Sequence, residues 1–211
     1  MKDFKFSGEM TGENFDMHVN EQLPFYSMLT HAVSMIVRNY LPKHGRLYDI
    51  GASTGNITKA IAGFARDRET EVISIDNSGD MVSTWNGYGV CTKADAAYFS
   101  YEKFDVAVCF LVLMFMTKSE RSCLIEKLKD KMIEGGIIII VDKITVEGGY
   151  FGTVLRRMTF DYKLKNGASP DEIINKELSL SGIQRPFDEN ETLEFKEFFR
   201  LGEFVGWVIE G

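Results

Sequence analysis

The sequence predicts an α/β protein built on a doubly wound, mainly parallel sheet. Three observations point there. Short apolar runs alternate with stretches of helical periodicity from Leu47 to Val141. A glycine turn, Gly51-Ala52-Ser53-Thr54-Gly55, follows the first strand and precedes a helical pattern at Ile57, Ala60, Ile61 and Phe64. The second strand, Val72–Ile75, runs into an acid, Asp76. A strand, a bare turn and a helix start bring backbone N–H groups close to a ligand with no side chain between. An acid about 25 residues on can accept from both hydroxyls of a ribose. Together they predict a nucleoside-binding domain.

The elements follow in order. Residues before Gln22 are polar and mixed and are expected to be loosely ordered or to cover a site. Met28, Leu29, Ala32, Val33, Ile36 and Val37 give a helix over Phe25–Tyr40, ended by Pro42-Lys43-His44-Gly45. After Asp76 come a helix from Gly79 to Trp85, a short strand at Val90–Lys93 and a strand at Phe104–Phe110. A helix over Lys118–Met132, with Ser119 as its expected N-cap, ends at Glu134-Gly135-Gly136. Ile137–Val141 is continuously apolar, as a parallel strand buried on both faces requires. Beyond Lys143 the rhythm changes. Two helices, Gly152–Leu164 and one opened by Ser169-Pro170, form a helical insertion over 147–182 within a single domain spanning 1–211. Leu193–Phe199 and Phe204–Ile209, joined around Gly202, predict a terminal antiparallel hairpin.

With 211 residues the chain can bury about 70% of its unfolded surface in one domain. A net charge of −7 argues against broad electrostatic capture of nucleic acid or of an anionic membrane. No apolar run approaches a membrane span. Cys91, Cys109 and Cys123 show neither C-x-x-C nor zinc spacing, so no metal site is expected, buried free thiols are, and a reducing cytoplasm fits.

The turn excludes two nucleotide cradles. It has neither the spacing of G-x-G-x-x-G nor the lysine of a P-loop. The pattern D-x-G-x-x-x-G with an acid ending the next strand resembles motif I and its partner in class I S-adenosylmethionine (SAM) methyltransferases. In that chemistry the protein mainly orients two reactants and keeps water out. Gly51 admits the methionine part, Gly55 opens the helix, Asp49 is expected to order the turn, and Asp76 to hold the ribose. Asp95, with Ala96, can accept from an adenine amine or simply form a turn. Phe110 to Met116 can wall the adenosine and face the cation, or pack as core. His18, His31 and His44 stand apart from any acid or nucleophile at recognisable spacing, and His31 is expected on a helix face. No catalytic constellation emerges, and Asp188-Glu189-Asn190-Glu191 is expected to be a solvated turn.

Finer motifs narrow the comparison. Phe15-Asp16, LPFYS at Leu23–Ser27, YDIGASTG at Tyr48–Gly55 and IDNSGDM at Ile75–Met81 are joined by Ser119–Arg121, EGGIIIIVDK at Glu134–Lys143 and FDYKLKNGASPDEI at Phe160–Ile173. From Phe15 to about Ile183 the chain resembles the carboxy-S-adenosylmethionine synthases, formerly called tRNA (uridine-5-oxyacetic acid) methyltransferases. The resemblance implies a Rossmann-like class I methyltransferase fold, a homodimer, and conversion of SAM and prephenate to carboxy-SAM for wobble-uridine modification. It further implies that Tyr26 contacts the SAM carboxylate and that Gly51, Asp76, Asn77, Asp95 and Ala96 line the nucleoside pocket. Two departures stand out. The family has an arginine after the lysine of E-I-x-x-K, where this chain has Glu177 after Lys176, a reversal of sign toward a carboxylate ligand. Lys176 or Arg200 can compensate. The segment before the last hairpin is also shorter, without room for a full helix. Two other functions remain open: a conventional methyltransferase acting on a small molecule, and a non-catalytic SAM-binding subunit.

Overall fold

The computed structural model describes residues 19–20, 22–23, 25–146 and 148–211. Phe15, Asp16, His18 and Pro24, named above, lie outside the described residues. Helix α1 (Tyr26–Tyr40) precedes β1 (Arg46–Ile50), α2 (Asn56–Asp67), β2 (Glu71–Asp76), α3 (Gly79–Thr84), β3 (Val90–Lys93) and β4 (Phe104–Phe110). Then come α4 (Lys118–Lys131), β5 (Met132–Lys143), α5 (Gly149–Lys165), α6 (Pro170–Ser179), β6 (Lys196–Leu201) and β7 (Phe204–Glu210). The seven strands form one sheet in the order β3-β2-β1-β4-β5-β7-β6, parallel except for β7, which runs antiparallel to both neighbours. The predicted α/β architecture, terminal hairpin and late helices are all present.

The central strands are buried on both faces, which explains their continuous apolar runs. Every residue of β4 is buried, as is β5 from Gly136 onward. Alternate residues feed two cores. Leu47, Val106, Val108, Ile137 and Ile139 meet α1 and α2 on one face. Tyr48, Ile50, Ala107, Cys109, Ile138, Ile140 and Trp207 meet α4 on the other. Helices on opposite sides of β1 and β4 place the topological switch between these two strands, and ligands bind outside the carboxyl ends there.

Several local readings change. The N-cap of α4 is Thr117 rather than Ser119, because Thr117 and Glu120 close a reciprocal capping box one turn start earlier. Strand β5 begins at Met132, since Gly135 takes a positive φ of 77° and the chain passes directly from helix to strand. Of the cysteines only Cys109 is buried; Cys91 sits on the edge strand, half-exposed, and Cys123 on the outer face of α4. The predicted absence of a full helix before β6 is seen: a short 3₁₀ turn, Glu189–Glu191, stands there.

That turn is not a solvated acidic run. Asp188 caps it, and Glu191 is an anchor for Arg121. The side chains of Arg121 and Glu191 are 3% and 7% exposed, and their Nη2–Oε2 separation is 2.6 Å. Arg121 also donates to the carbonyls of Arg185 and Pro186 and lies 4.2 Å over the Phe187 ring. Phe187 N–H and O in turn meet Lys143 O and Thr145 N–H, so one guanidinium fastens the returning segment against the end of β5. Arg121→Met leaves Glu191 and two carbonyls buried without this partner, and should lower the urea-unfolding free energy by about 3 kcal/mol. An unchanged midpoint would contradict this clasp.

Candidate functional site

The glycine turn lies at the carboxyl end of β1, and β2 supplies its anchor points. Gly51 and Ala52 N–H both donate to Ile75 O, at 2.8 and 3.0 Å. Ser53 N–H donates to Asp76 Oδ2 at 2.9 Å, and Ser78 N–H to Asp76 Oδ1 at 2.8 Å. Asp76 therefore bridges the turn after β1 and the turn after β2. It orders the glycine turn, the task expected of Asp49, because Ser53 at φ 50° aims its N–H across at β2. Two N–H donors leave the carboxylate with further acceptor positions for a ribose.

Both motif glycines are needed sterically. Gly51 has φ 70°, and a Cβ there would stand 2.4 Å from Val112 Cγ2, so the turn and the loop after β4 face each other across a gap only glycine leaves open. Gly55 caps α2 at φ 88°, and a Cβ would meet Gly87 Cα and Trp85 Nε1, each at 2.8 Å. Trp85 to Gly87 thus pack over the start of α2, with Asn86 N–H donating to Thr54 O.

Asp49 is 1% exposed, and its Oδ2 has no hydrogen-bond partner among the described residues. Burial, with Asp76 nearby, pushes its carboxyl up to about 7. Burial also raises Asp76, against its two N–H donors. A buried carboxyl with one unpartnered oxygen beneath a bare turn fits a ligand with cationic groups placed there.

The far wall comes from α1 and β4. Tyr26 and Phe110 rings meet edge-on at 5.5 Å, both nearly buried. Thr30 Oγ1 donates to Tyr26 O and accepts from Asn56 Nδ2, tying the start of α1 to the start of α2. Leu111 takes φ 57°, an uncommon conformation for leucine, where the chain leaves β4. Asp142 Oδ2 then accepts from Met114 N–H at 3.0 Å and holds that loop from β5; burial pushes its carboxyl up to about 7 as well.

The remaining residues are placed as follows. Asn77 is exposed beside Asp76. Asp95 is exposed after β3 and accepts Ala97 N–H with its side chain, forming a turn, while Ala96 O accepts from Tyr101. Lys176 and Glu177 lie on α6, and Glu177 pairs with Lys163. Arg200 is clasped by Glu197 of its own strand through three N–O contacts of 2.6–3.0 Å, which commits its charge there. His31 is exposed on α1; His44, at φ 58°, faces Glu69 at 3.4 Å away from the crevice. Among the described residues no group could hold a metal. Sequence reasoning missed Ser53, Ser78 and Trp85–Gly87, and it placed Val112 in the Phe110–Met116 wall without its contact to the glycine turn. The D-N-S sequence was a usable signal for Ser78, since Asp two residues before a helix start commonly accepts from the following turn.

Gly51→Ala should abolish ligand binding in the crevice and cost about 1–3 kcal/mol of stability through the Val112 clash and the positive φ. Gly63→Ala, on the open face of α2 where an added Cβ meets nothing, should instead stabilise by about 0.5–1 kcal/mol. Thermal melts of the two variants compare them directly. The buried acids set a pH dependence. Folded Asp49 keeps its proton over a range in which the unfolded carboxyl, at about 4, has lost it. This contribution to stability is whole below about pH 4 and is lost as pH rises through about 7. Urea unfolding across that window should show the decline, and Asp49→Asn should flatten it in part, Asp142 supplying the remainder.

Comparison with known proteins agrees with this geometry. Residues 48–140 match a family described as a methyltransferase domain. The chain is 27% identical to a carboxy-S-adenosyl-L-methionine synthase of Staphylococcus epidermidis, with 96% of this chain and 95% of the relative covered. It is 29% identical to that of Wolinella succinogenes, covering 98% and 90%. A plantazolicin methyltransferase solved with SAH shares the fold at TM-score 0.62 and 16% identity, covering 94% of this chain and 88% of that one. A magnesium protoporphyrin IX methyltransferase from Synechocystis, also with SAH, does so at TM-score 0.57 and 15% identity, covering 96% and 88%. The similarities are those of a SAM-dependent transferase: a methyltransferase-domain match over residues 48–140, the fold of these methyltransferases, and a resemblance along nearly the whole chain to the carboxy-S-adenosyl-L-methionine synthases.

Proposed function

We propose that the crevice between β1 and β4 binds SAM or carboxy-SAM and that the protein performs carboxy-SAM synthesis from SAM and prephenate. Asp76 carries the reading: its carboxylate stands at the end of β2, beside a turn that only glycine can form. When bound, SAM supplies a sulfonium whose methyl group is the reacting carbon. The protein's residues then have positional tasks. Asp76 holds the ribose hydroxyls, Gly51 lets the methionine part approach the backbone, and Gly55 presents the start of α2. Asn77, Asp95 and Ala96 flank the nucleoside. Tyr26 and Phe110 form the apolar wall, where aromatic faces favour a cation and exclude water.

The finer expectations belong to the same proposal. The product would serve tRNA wobble-uridine modification in the cytoplasm, without direct nucleic-acid binding by this acidic chain. A homodimer is supported by apolar side chains left outside on the late helices, among them Tyr150, Phe151, Ile174 and Leu178. No described helix is long and apolar enough to cross a membrane. One observation favours a second reading, conventional methylation of a small molecule: Glu177 places an anion where the resembled family has a cation, and Arg200 is engaged elsewhere.

Calorimetry should show SAM binding that Asp76→Ala weakens about a hundredfold, through loss of two charge-assisted hydrogen bonds to the ribose and of the turn's anchor. Because a cationic ligand favours ionised Asp49, that binding should also tighten as pH rises from about 6 to about 8. Mass spectrometry of the ligand retained through purification separates the readings. A ligand heavier than SAM by one CO2 supports the synthase, and SAM or its demethylated product supports methylation. Absence of SAM binding, or no carboxy-SAM from SAM and prephenate, would remove the general or the specific proposal respectively.

A further inference from the structure

A polar link between α1 and α2 stands on the rim of the crevice, and the nucleoside assignment gives it no part. Asn56 opens α2 directly after Gly55, and Thr30 lies one turn beyond Tyr26 on the same face of α1. Both are half-buried. Thr30 Oγ1 donates its single hydrogen to Tyr26 O at 2.9 Å. It therefore meets Asn56 only as an acceptor, with Asn56 Nδ2 as the donor 2.9 Å away. This succession fixes the direction of the amide: its NH2 group faces α1, and its oxygen is turned from Thr30. Among the described residues no hydrogen bond reaches Asn56 Oδ1, and the atom is not sealed off by its neighbours. That oxygen is left for water or a ligand.

Sheet order decides which part of a ligand can reach it. The order β3-β2-β1-β4 runs from Asp95 beyond β3, through Asp76 at the end of β2, to the glycine turn after β1 and Phe110 at the end of β4. An adenosyl ligand laid along that line has its base toward Asp95 and its ribose at Asp76. Its amino-acid end then lies beside Gly51, Gly55 and the start of α1, where Tyr26 meets Phe110. At that end the only N–H donor of the ligand is the α-ammonium. An amide oxygen accepts from an ammonium and repels a carboxylate. Asp49, buried beneath the same turn with one oxygen unpartnered, favours the same cationic group.

We propose that Asn56 Oδ1 accepts from the α-ammonium of the bound adenosyl sulfonium, and that Thr30 is the positioning residue that holds the amide in this sense. Asn56 thereby selects ligands with an intact amino group over adenosyl compounds that lack one. Because the amide is neutral and anchored on one side, it makes this choice without a titrating group and with little rotamer freedom left to lose. The inference deepens the proposed function and rests on the assignment of the crevice to SAM.

Calorimetry with three probes tests it: SAM, decarboxylated SAM, which keeps the ammonium, and deaminated S-adenosylhomocysteine, which keeps the carboxylate. The weaker probes are measured by displacement of SAM. Asn56→Ala should weaken SAM and decarboxylated SAM about tenfold each, and the deaminated compound less than about twofold. Thr30→Val breaks the same link between the helices but leaves the Asn56 oxygen in place, so it should weaken SAM at least about threefold less than Asn56→Ala does. Thermal melts check that both variants keep the fold. Equal losses for all three probes, a loss confined to SAM, no loss at all, or equal SAM losses in the two variants overturns the contact while leaving the crevice intact. Failure of the unsubstituted protein to bind SAM would overturn both.

Discussion

The site depends on a single carboxylate joining two turns that sequence separates widely. Asp76 accepts Ser53 N–H from the turn after β1 and Ser78 N–H from the turn after β2. These charge-assisted bonds hold the two loops at a fixed spacing, and Ile75 O adds two more from Gly51 and Ala52. A ribose-holding acid is thereby kept in orientation by the backbone it also shapes. Pre-orientation of this kind removes much of the entropic cost of capturing a flexible nucleoside.

Around that pair of loops the structure uses buried charge sparingly and for position. Asp142 holds the loop after β4 through Met114 N–H, and Arg121 fastens the segment that returns from the late helices. Both serve the carboxyl end of the sheet, where loops lack the regular bonding of strands. The apolar strands beneath need no such fastening, because β4 and most of β5 are buried on both faces and pair on both edges. Rigidity thus resides in the sheet, and specificity in loops tied to it by a few carboxylates and one guanidinium.

Much of the fold was legible because its signals are local. Continuous Ile/Val runs, the glycine turn and Ser169-Pro170 each act within a few residues, and the corresponding elements formed where expected. Errors arose where a long-range partner decides. Glu191 reads as one acid in an exposed run until Arg121, 70 residues away, buries it. The N-cap of α4 moved to Thr117 because Glu120 completes its box, a competition between two adjacent candidates that periodicity does not resolve. At the site, the glycines and Asp76 were readable from spacing, whereas Val112 and Trp85 reach the turn only through the packing of separate loops. The pairing of Lys163 with Glu177 likewise needs the hairpin closed.

The strand order carries a consequence for how the molecule is made. Strand β7 lies between β5 and β6, yet follows both in the chain. Until it arrives, β5 presents an open edge of unpaired N–H and C=O groups flanked by the apolar Ile137–Val141 run, and β6 has no strand neighbour among the described residues. Nascent chains still lacking Phe204–Glu210 would therefore expose a sticky flank to one another or to chaperones. Vectorial synthesis must leave this domain unsealed almost to its final strand.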